Sequence, residues 1–182
     1  MGIPGSRESP RQEHNPKTRM SHNRSQKSLR AELLVGLHLE SNPEALCLVR
    51  AMLQRATELV HFQEPDCRAI VRSVDEALAN VIRHAYRGRP GRSIEVICRR
   101  LCAPKKGAVR GIEIVLSDHG PAVDPKKLRG RPLSEIRPGG LGLHFMRQSM
   151  DVVEFQRRNG KNLLRLVKYL GGSKPEPKPR GE

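Results

Sequence analysis

Residues 74–86 read Val-Asp-Glu-Ala-Leu-Ala-Asn-Val-Ile-Arg-His-Ala-Tyr, and this segment carries two patterns at once. Val74, Ala77, Leu78, Val81, Ile82 and Ala85 recur at three and four, and Ile70 and Val71 extend the series upstream. That period predicts an α-helix with one buried stripe. Glu76 and Asn80 fall off the stripe. Four helical residues turn through about 400°, so these two side chains stand roughly 40° apart on one face. A carboxylate and an amide oxygen so placed suit magnesium, which takes oxygen ligands and keeps waters beside nucleotide phosphates. Glu76 is also fitted to accept a proton from a water or hydroxyl next to such an ion. Amphipathic helices carry many such pairs, and by itself this one reads first as a solvated face. His84, four residues further on, falls near the same face, and its place near the helix end also suits the helix dipole.

Working outward, Pro65 and Asp66 open this helix and Gly88 and Pro90 close it. Before it, Ala31–Leu39 reads as a strand. Ser41, Pro43 and Glu44 form a capping-box arrangement that opens a first helix running to about Phe62. Leu46, Val49, Met52, Leu53, Ala56 and Leu59 or Val60 make its buried stripe. After the second helix, Ser93–Leu101 and Ala108–Leu116 read as a hairpin across Ala103–Gly107. Leu143–Met150 reads as a short helix. Val152–Arg157 and Leu163–Tyr169 form a second hairpin across Asn159-Gly160, a favoured tight turn. Strands and helices therefore come in runs without strict alternation. That order predicts an α/β (α+β) two-layer sandwich and argues against a doubly wound sheet.

Two further elements carry chemistry. Asp118-His119-Gly120-Pro121-Ala122 follows directly on an apolar strand. A carboxylate there can accept from an exocyclic amine while Gly120 lets a flat ring approach, although Asp-x-Gly is also a common turn. His119 has no evident role. Gly139-Gly140-Leu141-Gly142-Leu143 leads into the last helix, whose N-terminal N–H groups favour phosphate; such a run also serves as a plain sharp turn. The segment from Asp118 to Gly140, rich in Gly, Pro, Lys and Arg, is long for a connection within one domain, and loops of that length are usually functional. Other phosphate-binding signatures are missing: there is no G-x-x-x-x-G-K-[ST] and no strand–G-x-G-x-x-G–helix unit.

Composition narrows the class. The 182 residues suffice for one domain plus tails. Thirty-four basic against 19 acidic residues give a net charge of +15, which attracts polyanions. Residues 1–30 hold seven Lys/Arg against Glu8 and Glu13, a net +5, and their polar, aperiodic sequence reads as a disordered tail. Residues 171–182, rich in Pro, Gly and Lys, read the same way. A folded domain over residues 31–170 is left between them. No recognition helix, zinc pattern or aromatic RNA-binding strand accompanies the charge, so nucleic acid is not the expected partner. Cys47, Cys67, Cys98 and Cys102 form no C-x-x-C pair and read as reduced thiols. No apolar run nears the ~20 residues that span a bilayer, and no secretory signal opens the chain; no membrane partner is expected and the cytoplasm is favoured.

Taken in this order on these elements, the three motifs resemble those of the GHKL ATPase/kinase superfamily, whose ATP-binding domain is the Bergerat fold. Residues 74–86 resemble its N box, Asp118-His119-Gly120 its G1 box and Gly140-Leu141-Gly142-Leu143 its G2 box, with the ATP lid between the last two. The likeness covers about residues 30–170. It is closest to the bacterial anti-sigma factor serine/threonine kinases, through Glu-Ala-x-x-Asn…His-Ala-Tyr and through Gly-Gly-Leu-Gly-Leu-His-Phe-Met-Arg-x-x-Met-Asp before a strand pair. No helical hairpin with a phosphoacceptor histidine precedes the domain, which argues against a sensor histidine kinase. The resemblance implies a mixed, mostly antiparallel sheet covered on one face by helices. It implies ATP and Mg2+, with Asn80 holding the metal and Glu76 as general base. His84, Asp118, Gly120, Ala122, Gly139, Gly140, Leu141, Gly142 and Leu143 would line the nucleotide. Ala122, after Pro121, stands where many members have a second glycine. The implied partners are a sigma factor and a STAS-type anti-anti-sigma protein that receives the phosphoryl group. A homodimer is common in that branch. The alternative is a nucleotide-gated binding module without turnover.

Overall fold

The computed structural model describes residues 29–104, 107–123 and 141–172. The tails read for residues 1–30 and 171–182 lie outside these apart from residues 29–30 and 171–172. The lid segment 124–140, with Gly139 and Gly140, lies outside them too.

Strand β1 (Arg30–Glu40) is followed by a 3-10 turn (Pro43–Ala45), helix α1 (Leu46–Leu59) and helix α2 (Glu64–Asn80). A π-helical turn, Val81–Ala85, continues α2 directly. Strands β2 (Ser93–Cys102) and β3 (Val109–Asp118) come next, then helix α3 (Leu141–Ser149), strands β4 (Val152–Arg158) and β5 (Lys161–Tyr169), and a closing turn, Leu170–Gly172. The sheet order is β1-β2-β3-β5-β4 and each neighbouring pair is antiparallel. The parallel component expected of a mixed sheet is absent among the described residues. The crossover from β3 through α3 leaves β4 parallel to β3, but the tight hairpin folds β5 into the space between them.

The helices cover one face. Ile94, Val96 and Cys98 of β2, Ile112, Ile114 and Leu116 of β3, and Leu166 of β5 are fully or almost fully buried. They share one core with Val49 and Leu53 of α1, Ile70, Val74 and Leu78 of α2, and Met146 of α3. Burial pushes the Cys98 thiol up to about 12, which keeps it protonated and inert. All four cysteines are free thiols. The opposite sheet face holds a smaller cluster around Leu101, Val167 and Tyr169. Beside it Glu113 receives Arg99 at 3.1 Å and Arg165 at 2.6 Å.

Several boundaries depart from the sequence reading, three of them at helices α1 and α3. Ser41 does not cap α1. Asn42, next to Pro43, caps the 3-10 turn ahead of α1 by accepting from the Glu44 N–H at 3.0 Å, and α1 itself starts after Ala45 without a side-chain cap. Helix α1 ends at Leu59, and His61 turns the chain with φ 64°. Of the two alternatives for its stripe, Val60 is buried and Leu59 is 69% exposed. Helix α3 starts at Leu141, two residues before the predicted Leu143, because Gly142 is helical. No helix among the described residues is long and apolar enough to cross a membrane.

Gly111 marks the tightest sheet contact. It lies beside the irregularity between Leu101 and Cys102, opposite Tyr169. A Cβ there would overlap the Lys168 carbonyl oxygen and come within 3.0 Å of Tyr169 Cα, both backbone atoms that cannot rotate away. Gly111→Ala is therefore expected to destabilise the fold by about 1–3 kcal/mol, read as a lower urea midpoint.

Candidate functional site

Helix α2 forms because its apolar period packs Ile70, Val74, Ala77 and Leu78 into the core and Pro65 starts it. Glu76 and Asn80 then fall at the half-buried boundary of the helix. Neither side chain makes a hydrogen bond or ion pair among the described residues. Asn80 is the last α-helical residue. The Val81–Ala85 turn is wider, with the Tyr86 N–H donating to Val81 O at 2.9 Å and the Gly88 N–H to Ile82 O at 2.8 Å. Such π turns are frequent at functional sites. His84 lies within this wider turn. His84 is exposed.

Helix α3 lies against α2. A Cβ on Gly142 would overlap Oε1, Cδ and Cγ of Glu76. The Glu76 carboxylate thus lies on the first turn of α3, where no side chain intervenes and the helix N–H groups lack intrahelical partners. One turn further along both helices, the Arg72 guanidinium stacks over the Phe145 ring, 4.6 Å from its centroid.

Beyond the C-terminus of α2 the chain meets the end of β3. Asp118 is 7% exposed and pairs in register with Asn162 of β5. Its Oδ1 accepts from the Gly120 N–H at 2.7 Å and from Asn162 Nδ2 at 2.9 Å. Asn162 Nδ2 also reaches Pro121 O at 3.0 Å and Gly120 O at 3.3 Å. An Arg157 N–H donates to Asn162 Oδ1 at 2.6 Å and to Gly120 O at 3.1 Å. A Cβ on Gly120 would come within 2.6 Å of Ala85 Cβ and 2.8 Å of Asp118 Oδ1, so only glycine fits between them. The Tyr86 hydroxyl donates to Ser93 O at 2.6 Å and accepts from the His119 N–H at 2.8 Å. Burial raises the pKa of Tyr86 and keeps it a donor. Ala122 is exposed beyond this cage.

The fold thus brings Glu76 to Gly142, and Asp118 and Gly120 to the turn that follows Asn80. Tyr86, Asn162 and Arg157 escaped the sequence reading. Tyr86 stood inside the quoted motif. The other two become visible only once β5 is placed beside β3.

Comparison with known proteins bears on the family and the fold. The family model for the histidine kinase-like ATPase domain matches residues 39–168. The chain is 27% identical over 145 residues to the serine-protein kinase RsbW of Bacillus pumilus, covering 75% of this chain and 86% of that protein. It is 33% identical over 99 residues to the serine/threonine-protein kinase BtrW of Bordetella bronchiseptica, covering 52% of this chain and 65% of that protein. Among solved structures, a chain of the SiaB–SiaC complex from Pseudomonas aeruginosa superposes with a TM-score of 0.52 at 11% identity, over 76% of this chain and 91% of that one. At that identity the likeness speaks for the fold.

Proposed function

This chain belongs to the histidine kinase-like ATPase domain family, and from that premise we propose that it is a cytoplasmic anti-sigma regulatory kinase. It binds a sigma factor, and it transfers the γ-phosphoryl group of ATP to a Ser or Thr hydroxyl of a STAS-type anti-anti-sigma protein. Similarity to proteins named as serine-protein kinases supports the reaction class. The observation that carries the reading is the contact of Glu76 with Gly142 in the C-terminal part of α2 and of Ala85 with Gly120 in the π turn that follows it. Two motif glycines pack directly on the N-box segment, Gly142 on Glu76 and Gly120 on Ala85, so the three motifs converge there.

In this reading Asp118 binds the base and the first turn of α3 faces the phosphates. Asn80 offers an amide oxygen to magnesium, which when bound neutralises phosphate charge. Among the described residues no group of three or more His, Cys, Asp or Glu stands ready to hold a metal. An ion that keeps its waters and shares phosphate oxygens fits that donor set. Glu76 takes the proton of the attacking hydroxyl as its oxygen bonds to the γ-phosphorus and the bond to the ADP oxygen breaks.

Transfer of labelled γ-phosphate to the STAS partner, lost in Glu76→Gln, tests the reaction. ATP binding without any transfer would favour the nucleotide-gated module instead. Asn80→Ala is expected to weaken magnesium-dependent ATP binding. Losing one contact to a charged group costs about 1.5–3 kcal/mol, or roughly 10- to 150-fold in Kd. Unchanged calorimetric titrations with and without magnesium would remove Asn80 from the site.

A further inference from the structure

The segment between the π turn and β2 is exposed yet tightly held. Arg87, Arg89 and Arg92 lie within six residues and line an open depression of about 560 Å3 together with His119, Gly120 and Pro121. Their loop is stapled to buried Ser41. The Ser41 hydroxyl donates to Arg89 O at 2.7 Å and accepts from the Arg92 N–H at 3.0 Å, and the Ser41 N–H donates to Arg92 O at 2.7 Å. The Arg89 N–H is bound to Tyr86 O at 3.0 Å, and Pro90 fixes its own φ. None of the three guanidinium groups meets a carboxylate among the described residues, whereas Arg50, Arg99, Arg100 and Arg165 each do. Glu40 comes near, with Oε2 3.9 Å from the Cβ position of Gly91, but forms no ion pair with them. Like charges that line one depression repel one another, and an anion bound there relieves that repulsion.

We propose that this basin docks acidic side chains of the protein partner, at a subsite that adjoins the base end of the nucleotide site through Gly120. Guanidinium forks recognise carboxylates bidentately, and a pre-organised cluster loses little entropy on binding them. Nine residues separate Glu76 from Ala85, about 13 Å along the helix, so the basin lies beyond the base end of the site and far from Gly142. A nucleic acid would need a stripe of charge or rings to stack on. Here the charge is one concave cluster, and the Tyr86 ring is buried with its hydroxyl engaged twice.

The inference rests on the reading that a protein partner exists, and its test separates the two. Full-length, isotopically labelled protein is titrated with a hexaglutamate peptide at low salt and followed by amide shifts. The expected result is shifts confined to residues 87–93 and 119–121. The exposed triple variants Arg87→Glu/Arg89→Glu/Arg92→Glu and Arg87→Gln/Arg89→Gln/Arg92→Gln should lose roughly tenfold or more of that affinity. Their magnesium–ATP affinity should be unchanged. Shifts elsewhere, variants that bind the peptide as the parent does, displacement of the peptide by ATP, or tighter occupancy of the same residues by an oligothymidylate would each overturn the assignment. Failure of the parent protein to bind ATP would sink the kinase reading and leave the peptide result standing.

Discussion

Gly142→Ala is expected to lower kcat for phosphoryl transfer by about 10²-fold or more while leaving the thermal midpoint within a few degrees. The two halves of this expectation have different causes. Gly142 is helical, without the left-handed φ that excludes side chains, so alanine gains up to about 1 kcal/mol of helix propensity there. The new methyl, however, would occupy the space of Glu76 Oε1, Cδ and Cγ. Glu76 is half-buried and flexible, so it can swing aside at small cost to the fold. Its carboxylate then leaves the first turn of α3, where the proposed chemistry needs it. General-base catalysis is worth 10²–10⁴-fold, which sets the scale. A Gly36→Ala control, with nothing within 4 Å of its Cβ, should keep full activity. In the Gly142→Ala background, a further Glu76→Ala change should cost little, because the two act on one interaction. Full transfer by Gly142→Ala would remove Glu76 from the reaction.

The same glycine explains what the sequence could and could not disclose. The apolar period from Ile70 to Leu78 located α2 and its buried stripe, and Asn159-Gly160 located the second hairpin, because both signals are local. Gly142 reads locally as a loop residue, so the start of α3 was placed two positions late. Its need for glycine comes from Glu76, 66 residues away, and no local pattern carries that. Ser41 shows a competition of near-equals. Two adjacent cap formers precede Pro43, Asn42 wins, and Ser41 is released to staple residues 89–92. The π turn after Asn80 differs from an α turn by one residue in the hydrogen-bond step, a difference too small for apolar spacing to reveal. The Asp118 cage depends on β5 folding between β3 and β4, since only the Asp118–Asn162 register brings that amide within reach. The motifs themselves were thus readable in the sequence, while the contacts that join them were written in the strand order.

Asp118→Asn should separate recognition of the base from support of the fold. In the parent, two N–H donors converge on Oδ1, from Gly120 at 2.7 Å and Asn162 at 2.9 Å. Asparagine in the same pose sets its carbonyl oxygen there and keeps both bonds. Stability should fall by about 1 kcal/mol or less, since only the charge assistance is lost. The other branch changes character, because an NH2 donor now stands where Oδ2 was. Adenine offers its exocyclic amine, so an attractive contact becomes one between two donors. ATP affinity should drop by about 3 kcal/mol, roughly 10²-fold. Inosine triphosphate carries an oxygen in place of that amine and can accept from the new amide. The ratio of ATP to inosine triphosphate affinity should therefore fall steeply in Asp118→Asn, a switch that general loosening of the site would not produce. Asp118→Ala provides the contrast. It leaves the Gly120 N–H without its acceptor in a buried cage and should cost about 1–3 kcal/mol of stability as well as affinity. If Asp118→Asn bound ATP as tightly as the parent with the same base preference, Asp118 would not be the base-reading residue, and the nucleotide would have to lie elsewhere along α2.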